Sequence, residues 1–326
     1  MRKYLLVILF SLLNLVAYTQ ALRGTVSDAK TKNVIPFASV YFNGTFVGTI
    51  SNQHGYFELD RSNNQSMPLI ISAIGYYSVT LTDLSSAKPL LINLKPKEYT
   101  LKEAVVKSTS LVKKRKRYLA TFKAEFLGTT RNAGKCRILN ENDITFDYNS
   151  NADTLKAYAL KPIQVENRAL GYTVTYYLDK FEYYRNPESV FFIGNIKFRE
   201  NSTTEDSLKL FVENRKQVYL GSKMHFFRSL CKNDLKAQGF IILTPANESL
   251  QVKDIVVRDS TNNNYLHYSS RFNIWNKNKG TTVNFLKKYV YFDKTGYFDP
   301  SGINWIGSMG DERIADWLPY EYTIEK

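Results

Sequence analysis

Three histidines, two cysteines and a few paired charges are the residues of this chain whose chemistry could go beyond packing. A catalytic zinc needs about three protein ligands, usually paired histidines or a His-x-x-Glu step on one element. The histidines stand at His54, His225 and His267, and the residues three places on are Phe57, Arg228 and Ser270. That spacing argues against a metal centre. The chain has no Gly-x-Ser-x-Gly elbow and no glycine-rich phosphate loop, so no cofactor is expected either. His225 and Ser229 would share a helical face at i,i+4 with Cys231 close by. A base and a nucleophile on one helix seldom reach attack geometry, and no third group orients them. The expected role of His225 and Arg228 is to brace that helix against a sheet. Carboxylate neighbours such as Glu182 with Glu188, or Asp311 with Glu312, are as frequent as chance would place them.

One tripeptide occurs twice, as Glu166-Asn167-Arg168 and as Glu213-Asn214-Arg215. Arginine–carboxylate pairing there could lock a strand to a helix, or both arginines could face an anionic ligand. Locking is the expected role. The candidate binding residues are therefore Arg168, Arg215, His225 and Arg228, with no catalytic and no metal-binding residue. Two aromatic runs, Tyr172 to Tyr177 and Phe181 to Tyr184, could stack on sugar rings. In strands about half of such residues face the core, and packing is the main expectation.

Positioning these groups falls to a mostly β framework. The chain has 326 residues, twice the usual single-domain length, and 23 Tyr with 20 Phe favour pleated, half-buried surfaces. Residues 22–95 read as about seven short strands punctuated by turns, which predicts a small antiparallel sandwich. Pro36 to Phe42 alternates with period two, and Asn43-Gly44 then signals a hairpin. Leu111 to Phe126 predicts a helix with Leu119, Phe122 and Phe126 along one side. Strands follow in 147–165, 169–184 and 190–198, with Asn186-Pro187 turning between two of them. Asp206-Ser207 is a cap for a helix stopped by Gly221, and Ser222 caps a second helix expected to end at Gly239. Phe240 to Thr244 and 265–297 return to strand, and a short helix is expected at 311–318. The fold class is thus mainly β: a seven-stranded N-terminal sandwich, then a larger, mostly antiparallel α+β domain.

The N-terminus speaks to compartment. Arg2 and Lys3 precede the apolar run Tyr4 to Leu13, and small residues follow at Ala17, Thr19 and Ala21. A basic head, a short apolar body and a small-residue exit make a secretory signal peptide over 1–21, too short for a membrane span. Its removal lowers the net charge from +14 to +12. Part of that charge sits in Lys113-Lys-Arg-Lys-Arg117, read as a solvated linker or helix face rather than a polyanion site. Cys136 and Cys231 would meet an oxidising compartment, where a disulfide and two free thiols are both open readings, with Cys231 placed to pack as a small hydrophobe.

Five short motifs then fall in order: Gly24 to Asp28, Ile35 to Val40, Gly48 to Asn52, Gly55-Tyr-Phe57 and Ile74-Gly-Tyr76. With them, residues 22–107 resemble the carboxypeptidase-like regulatory domain. That resemblance implies a transthyretin-like β-sandwich of the kind that precedes the plug of many TonB-dependent outer-membrane receptors. One departure is the turn Ser51-Asn52-Gln53-His54, where the family carries an acidic residue. The remainder is similar to the uncharacterised C-terminal part of exported proteins of gram-negative bacteria that carry this domain. The residues concerned include Phe126 to Thr129, Glu166 to Tyr172, His225 to Leu230 and Asp311 to Pro319. The resulting division is a signal peptide 1–21, the regulatory-like domain 22–107, a basic linker or helix 108–125, and an α+β domain 126–326.

The expected function is binding or scaffolding at the cell envelope, without catalysis, in the periplasm, on the outer membrane or at the cell surface. An envelope or outer-membrane protein, or a polysaccharide, is the expected partner class; nucleic acid is not. A peptide- or glycan-directed hydrolase with its site in the second domain and a carbohydrate-binding module are the alternatives.

Overall fold

A computed structural model describes residues 21–61, 67–84, 88–97, 109–201 and 204–324. The expected signal peptide, apart from Ala21, lies outside the described residues. Among those described, no helix is long and apolar enough to cross a membrane.

Seven strands form the expected N-terminal sandwich, antiparallel except for one parallel pair, Ala21–Asp28 with Leu90–Leu94. One sheet is β4 (Tyr56–Asp60), β1 (Ala21–Asp28) and β7 (Leu90–Leu94); the other is β3 (Gly48–Ile50), β2 (Ser39–Phe42), β5 (Leu69–Ser72) and β6 (Val79–Leu81). Strand β1 alternates, burying Leu22 and Val26 against Val40, Phe42, Phe57 and Ile71. Gly24 is required between them. A Cβ there would lie 2.5 Å from the Leu90 carbonyl oxygen and 2.8 Å from the Phe57 ring. The link after β2 does more than turn the chain: Gly44, at φ +75°, carries residues 43–46 away from the sandwich.

The predicted helix exists as α1 (Thr109–Leu127). Its Phe122 and Phe126 rings stack at 5.0 Å and pack on Phe181 and Tyr176. The basic run falls on α1, where Lys113, Lys114, Lys116 and Arg117 are exposed. Arg115 turns inward and donates to the Ile144 and Glu141 carbonyls at 2.8 and 2.9 Å.

The core under α1 is a six-stranded antiparallel sheet of β8 (Cys136–Ile138), β9 (Ile144–Asn149), β10 (Thr154–Ala159), β11 (Ile163–Asn167), β12 (Tyr172–Arg185) and β13 (Glu188–Glu200). Long β12 pairs with β11 at its start and β10 at its end, and with β13 along its other edge. The Tyr172 to Tyr184 aromatics largely belong to this core, since Tyr172, Tyr176, Phe181 and Tyr183 are buried. The packing expectation therefore describes most of them.

Two helices follow, α2 (Glu205–Tyr219) and α3 (Lys223–Lys232). Their caps differ in part from expectation. Thr204, rather than Asp206 or Ser207, caps α2; its hydroxyl accepts from the Ser207 amide at 3.4 Å. Ser222 caps α3 as expected, but α3 ends at Asn233 in the left-handed region, well before Gly239. An Asn there reaches the required φ of 54° through its short polar side chain. The helix expected at 311–318 shrinks to one 3-10 turn, Ile314–Asp316, because Arg313 and Trp317 on either side are extended.

A second core lies beyond α3. It joins a four-stranded sheet of β14 (Phe240–Leu243), β17 (Phe272–Asn276), β18 (Lys279–Phe285) and β20 (Ile303–Gly307) to a three-stranded one of β15 (Val256–Arg258), β16 (Asn264–Leu266) and β19 (Val290–Phe292). Phe226 and Phe227 of α3 enter it. Cys136 packs on the first core and Cys231 on this one, and both are free thiols.

The sandwich is fastened to the body along β13. The Asn43 side-chain oxygen accepts from the Ile196 amide at 2.9 Å, and the Gly44 amide donates to the Ile196 carbonyl at 2.8 Å. The Thr45 carbonyl accepts from Phe198, and the Gly44 carbonyl accepts from the Tyr320 amide at 2.9 Å. Residues 43–46 therefore cover backbone groups that a sheet edge would otherwise leave unpaired.

Candidate functional site

The four candidate residues come to rest in different settings. Arg168 is exposed and pairs at 2.9 Å with Glu166 of its own tripeptide. Arg137 reaches the same carboxylate from the neighbouring strand at 3.4 Å. Arg215 is buried, its guanidinium 4.0 Å from the centre of the Tyr172 ring. It donates to the Leu170 carbonyl at 2.7 Å and pairs with Glu200 at 2.8 Å, while Asn214 donates to Ala169. This fastens α2 to the loop before β12. The two arginines do not face one another's ligand space: each is held by its own local partners.

His225 is buried at the start of α3. Its Nδ1 accepts from the Gly221 amide at 3.0 Å, which leaves Nε2 to donate to Gln238 at 3.1 Å. Burial lowers its pKa and keeps the ring neutral, with Gln238 working the other way. The Ser229 hydroxyl donates back to the His225 carbonyl at 2.7 Å, so it is turned away from the imidazole. Arg228 donates to three carbonyls, Thr295, Tyr322 and Tyr320, at 2.8, 2.7 and 2.9 Å. It clamps the C-terminal segment to the 293–297 turn. His267 bonds the Lys288 carbonyl far from His225 in the fold, and no cluster of three metal-ligating side chains occurs among the described residues.

Arg168 borders an open hollow of about 510 Å³ with Arg137, Glu166 and Arg199, and an aromatic-walled concavity lies apart from all four candidate residues. Where sandwich, six-stranded sheet and second core meet, a cavity of about 260 Å³ remains. Phe198, Tyr297, Phe298, Trp305, Trp317 and Tyr320 give it an aromatic wall, and Lys223, Glu312 and Asp316 give it a charged side. Asn43 and Gly44 of the sandwich link complete the lining. Gly296, at φ +88°, lets the 293–297 turn lie against α3, since a Cβ would stand 2.7 Å from the Met224 side chain.

The two carboxylates are held differently. Glu312 accepts from the Lys223 amide at 3.1 Å and faces its ammonium at 3.4 Å, at the α3 N-terminus where unpaired N–H groups favour an anion. Asp316 accepts from Asn132 at 2.9 Å and Thr130 at 3.1 Å, both neutral donors. Burial raises the pKa of both acids, opposed by Lys223 at Glu312 and by the Asn132 and Thr130 hydrogen bonds at Asp316. Sequence reasoning missed this site. Glu312 was weighed only with Asp311, whereas the side chain sharing its cavity is four residues on, beside Trp317.

Comparison with known proteins bears on the first part of the chain. Residues 22–106 match the family model of the CarboxypepD_reg-like domain. The regulatory-like domain thus coincides with the seven-stranded sandwich, and the motifs from Gly24 to Tyr76 fall within it. No curated protein matches the chain. Among solved structures, a Bacteroides fragilis protein of unknown function, provisionally termed membrane-associated, covers 88% of this chain and 94% of its own at 12% identity. Its TM-score is 0.18, so the likeness carries no argument about fold or function.

Proposed function

We propose that this is an exported, envelope-associated binding or scaffolding protein, with residues 22–107 as the regulatory-like domain and 126–326 as the body that carries the ligand site. The observation that supports this most is the junction cavity, an aromatic-walled concavity of the kind that holds small ligands. Its charged groups are already engaged with one another or with neighbouring loops, while the buried Trp305 Nε1 is left as an open donor for a ligand. The regulatory-like domain supports an interaction role. Its edge strand β7 presents Leu91 at 80% exposure, and an unpaired strand edge can accept a partner's strand.

The test has two arms. N-terminal sequencing of the mature protein is expected to begin near residues 19–22, in an envelope fraction; a chain beginning at Met1 refutes the export reading. A fragment screen by NMR on the mature chain is expected to perturb resonances of Trp305, Trp317 and Tyr320 together; hits that bypass these residues refute the site.

One observation favours a second reading, a hydrolase: Glu312 and Asp316 line the same cavity. Turnover of peptide or glycan substrates that Glu312→Gln and Asp316→Asn abolish would establish it in place of the binding reading.

A further inference from the structure

We propose that the junction cavity binds an organic ammonium ion, a protonated or quaternary amine carried on a small apolar body. The inference rests on the reading of this cavity as the ligand site and adds the chemistry of its occupant.

Charge separates the possible occupants. Of the three charged groups on the cavity, Lys223 and Glu312 form a pair at 3.4 Å. Among the described residues, the hydrogen-bond donors to Asp316 are the neutral Thr130 and Asn132, and Lys279 acts on it through space. The lining therefore carries one carboxylate in excess, on a chain whose net charge is +14. Burial works against that charge, as the raised pKa of Asp316 records. A cation entering the cavity would relieve it, and an anion would aggravate it. Two further cations lie outside the lining: Arg228 has its guanidinium held by three carbonyls, and Lys279 acts on Asp316 without a hydrogen bond to it.

The remaining wall fits the same occupant. Aromatic faces carry negative quadrupole charge and attract cations, quaternary ammonium groups above all. Six aromatic side chains line the cavity, with Tyr297 and Tyr320 packed edge-to-face at 5.8 Å and Phe298 and Trp305 at 5.7 Å. A neutral sugar fits less well. Sugar recognition needs several open donors and acceptors. The three charged side chains are already engaged by each other, Thr130 and Asn132, and among the described residues Trp305 Nε1 is the one buried side-chain polar atom of the lining without a partner. A volume of about 260 Å³ admits a trimethylammonium group with a short tail, several times the ~30 Å³ share of one water.

Choline and its neutral carbon isostere 3,3-dimethyl-1-butanol isolate the charge. Each is titrated into the mature chain, with tryptophan fluorescence and the NMR signals of Trp305 and Trp317 as readouts. Choline is expected to bind at least about tenfold more tightly than the isostere. Asp316→Asn, whose Oδ1 can still accept from both Thr130 and Asn132, is expected to erase that preference while leaving the isostere unchanged. Should the variant fold poorly, the wild type titrated at falling pH tests the charge of the lining as a whole, because protonation of Asp316 and of Glu312 beside Lys223 must weaken choline and spare the isostere. Equal binding of the two probes at the cavity overturns the ammonium assignment but leaves the cavity as a ligand site. Failure of choline to perturb Trp305 or Trp317 at millimolar concentration overturns the ammonium assignment; if the fragment screen also bypasses those residues, the site reading falls with it.

Discussion

Replacing Arg228 by methionine separates bracing from ligand binding at a residue where sequence left both roles open. Methionine keeps most of the apolar stem and removes the guanidinium, so packing changes little. Three hydrogen bonds disappear, to Thr295, Tyr322 and Tyr320, each between 2.7 and 2.9 Å. The site is only partly buried, so each bond contributes about 1 kcal/mol net, below the range for fully enclosed charged donors. The guanidinium also lies 5.4 Å from the centre of the Tyr219 ring, adding about 0.5 kcal/mol. The expected loss is about 3–4 kcal/mol, or roughly 6–16 °C in melting temperature for a body of this size. Differential scanning calorimetry of the mature chain measures it. Arg228→Lys is expected to recover less than half, because one ammonium cannot span three diverging carbonyls. A methionine variant melting within about 2 °C of wild type refutes the bracing account and returns Arg228 to the candidate ligand contacts.

Gly44→Ala should destabilise the junction by about 2–4 kcal/mol, since the residue sits at φ +75° and its Cβ would approach Tyr320 to 2.5 Å; a melting curve shows it. Phe126→Ala should cost about 3–5 kcal/mol in denaturant titration, because its ring is fully buried against Phe122 and Tyr176. Burial works against the charge on Glu182, yet Tyr184, Lys180 and Lys156 hold its pKa down to about 2. Its folded pKa lies below the unfolded value, so it stabilises above about pH 4 and loses that contribution as pH falls towards 2. Glu182→Gln should flatten that part of the acid-unfolding profile. Burial raises the Cys136 and Cys231 thiols to about 12 and about 11, so both should react slowly with a thiol reagent at pH 8 and promptly once the chain is unfolded.

Local signals told most of the fold. The sandwich was legible because each strand announces itself over a few residues: alternation from Pro36 to Phe42, the solid run Leu69 to Ser72, glycines where strands end. Helix α1 was legible from the spacing of Phe122 and Phe126, and α3 from Ser222 followed by an apolar face. Signals of one residue were less safe. Gly239 looked like a helix stop, but Asn233 takes the left-handed turn first. Asp311 to Leu318 looked helical, but the body shortens it to one turn.

Sequence alone therefore determined the elements, the order of the two parts, the regulatory-like resemblance and the lack of ligand spacing around His54, His225 and His267. Tertiary structure decided everything that depends on residues distant in the chain. It set Asn43 and Gly44 on β13, brought Tyr297, Trp305 and Trp317 around one cavity, and left Asp316 there with the neutral Thr130 and Asn132 as its hydrogen-bond donors. It also gave the duplicated Glu-Asn-Arg tripeptides unlike fates, Arg168 exposed beside Glu166 and Arg215 buried over Tyr172. The physical reason is range. Alternation, capping and turn preference act within a few residues and can be read in order, whereas a cavity exists only where separate cores fail to fill the space between them, and its charge depends on which side chains those cores happen to neutralise.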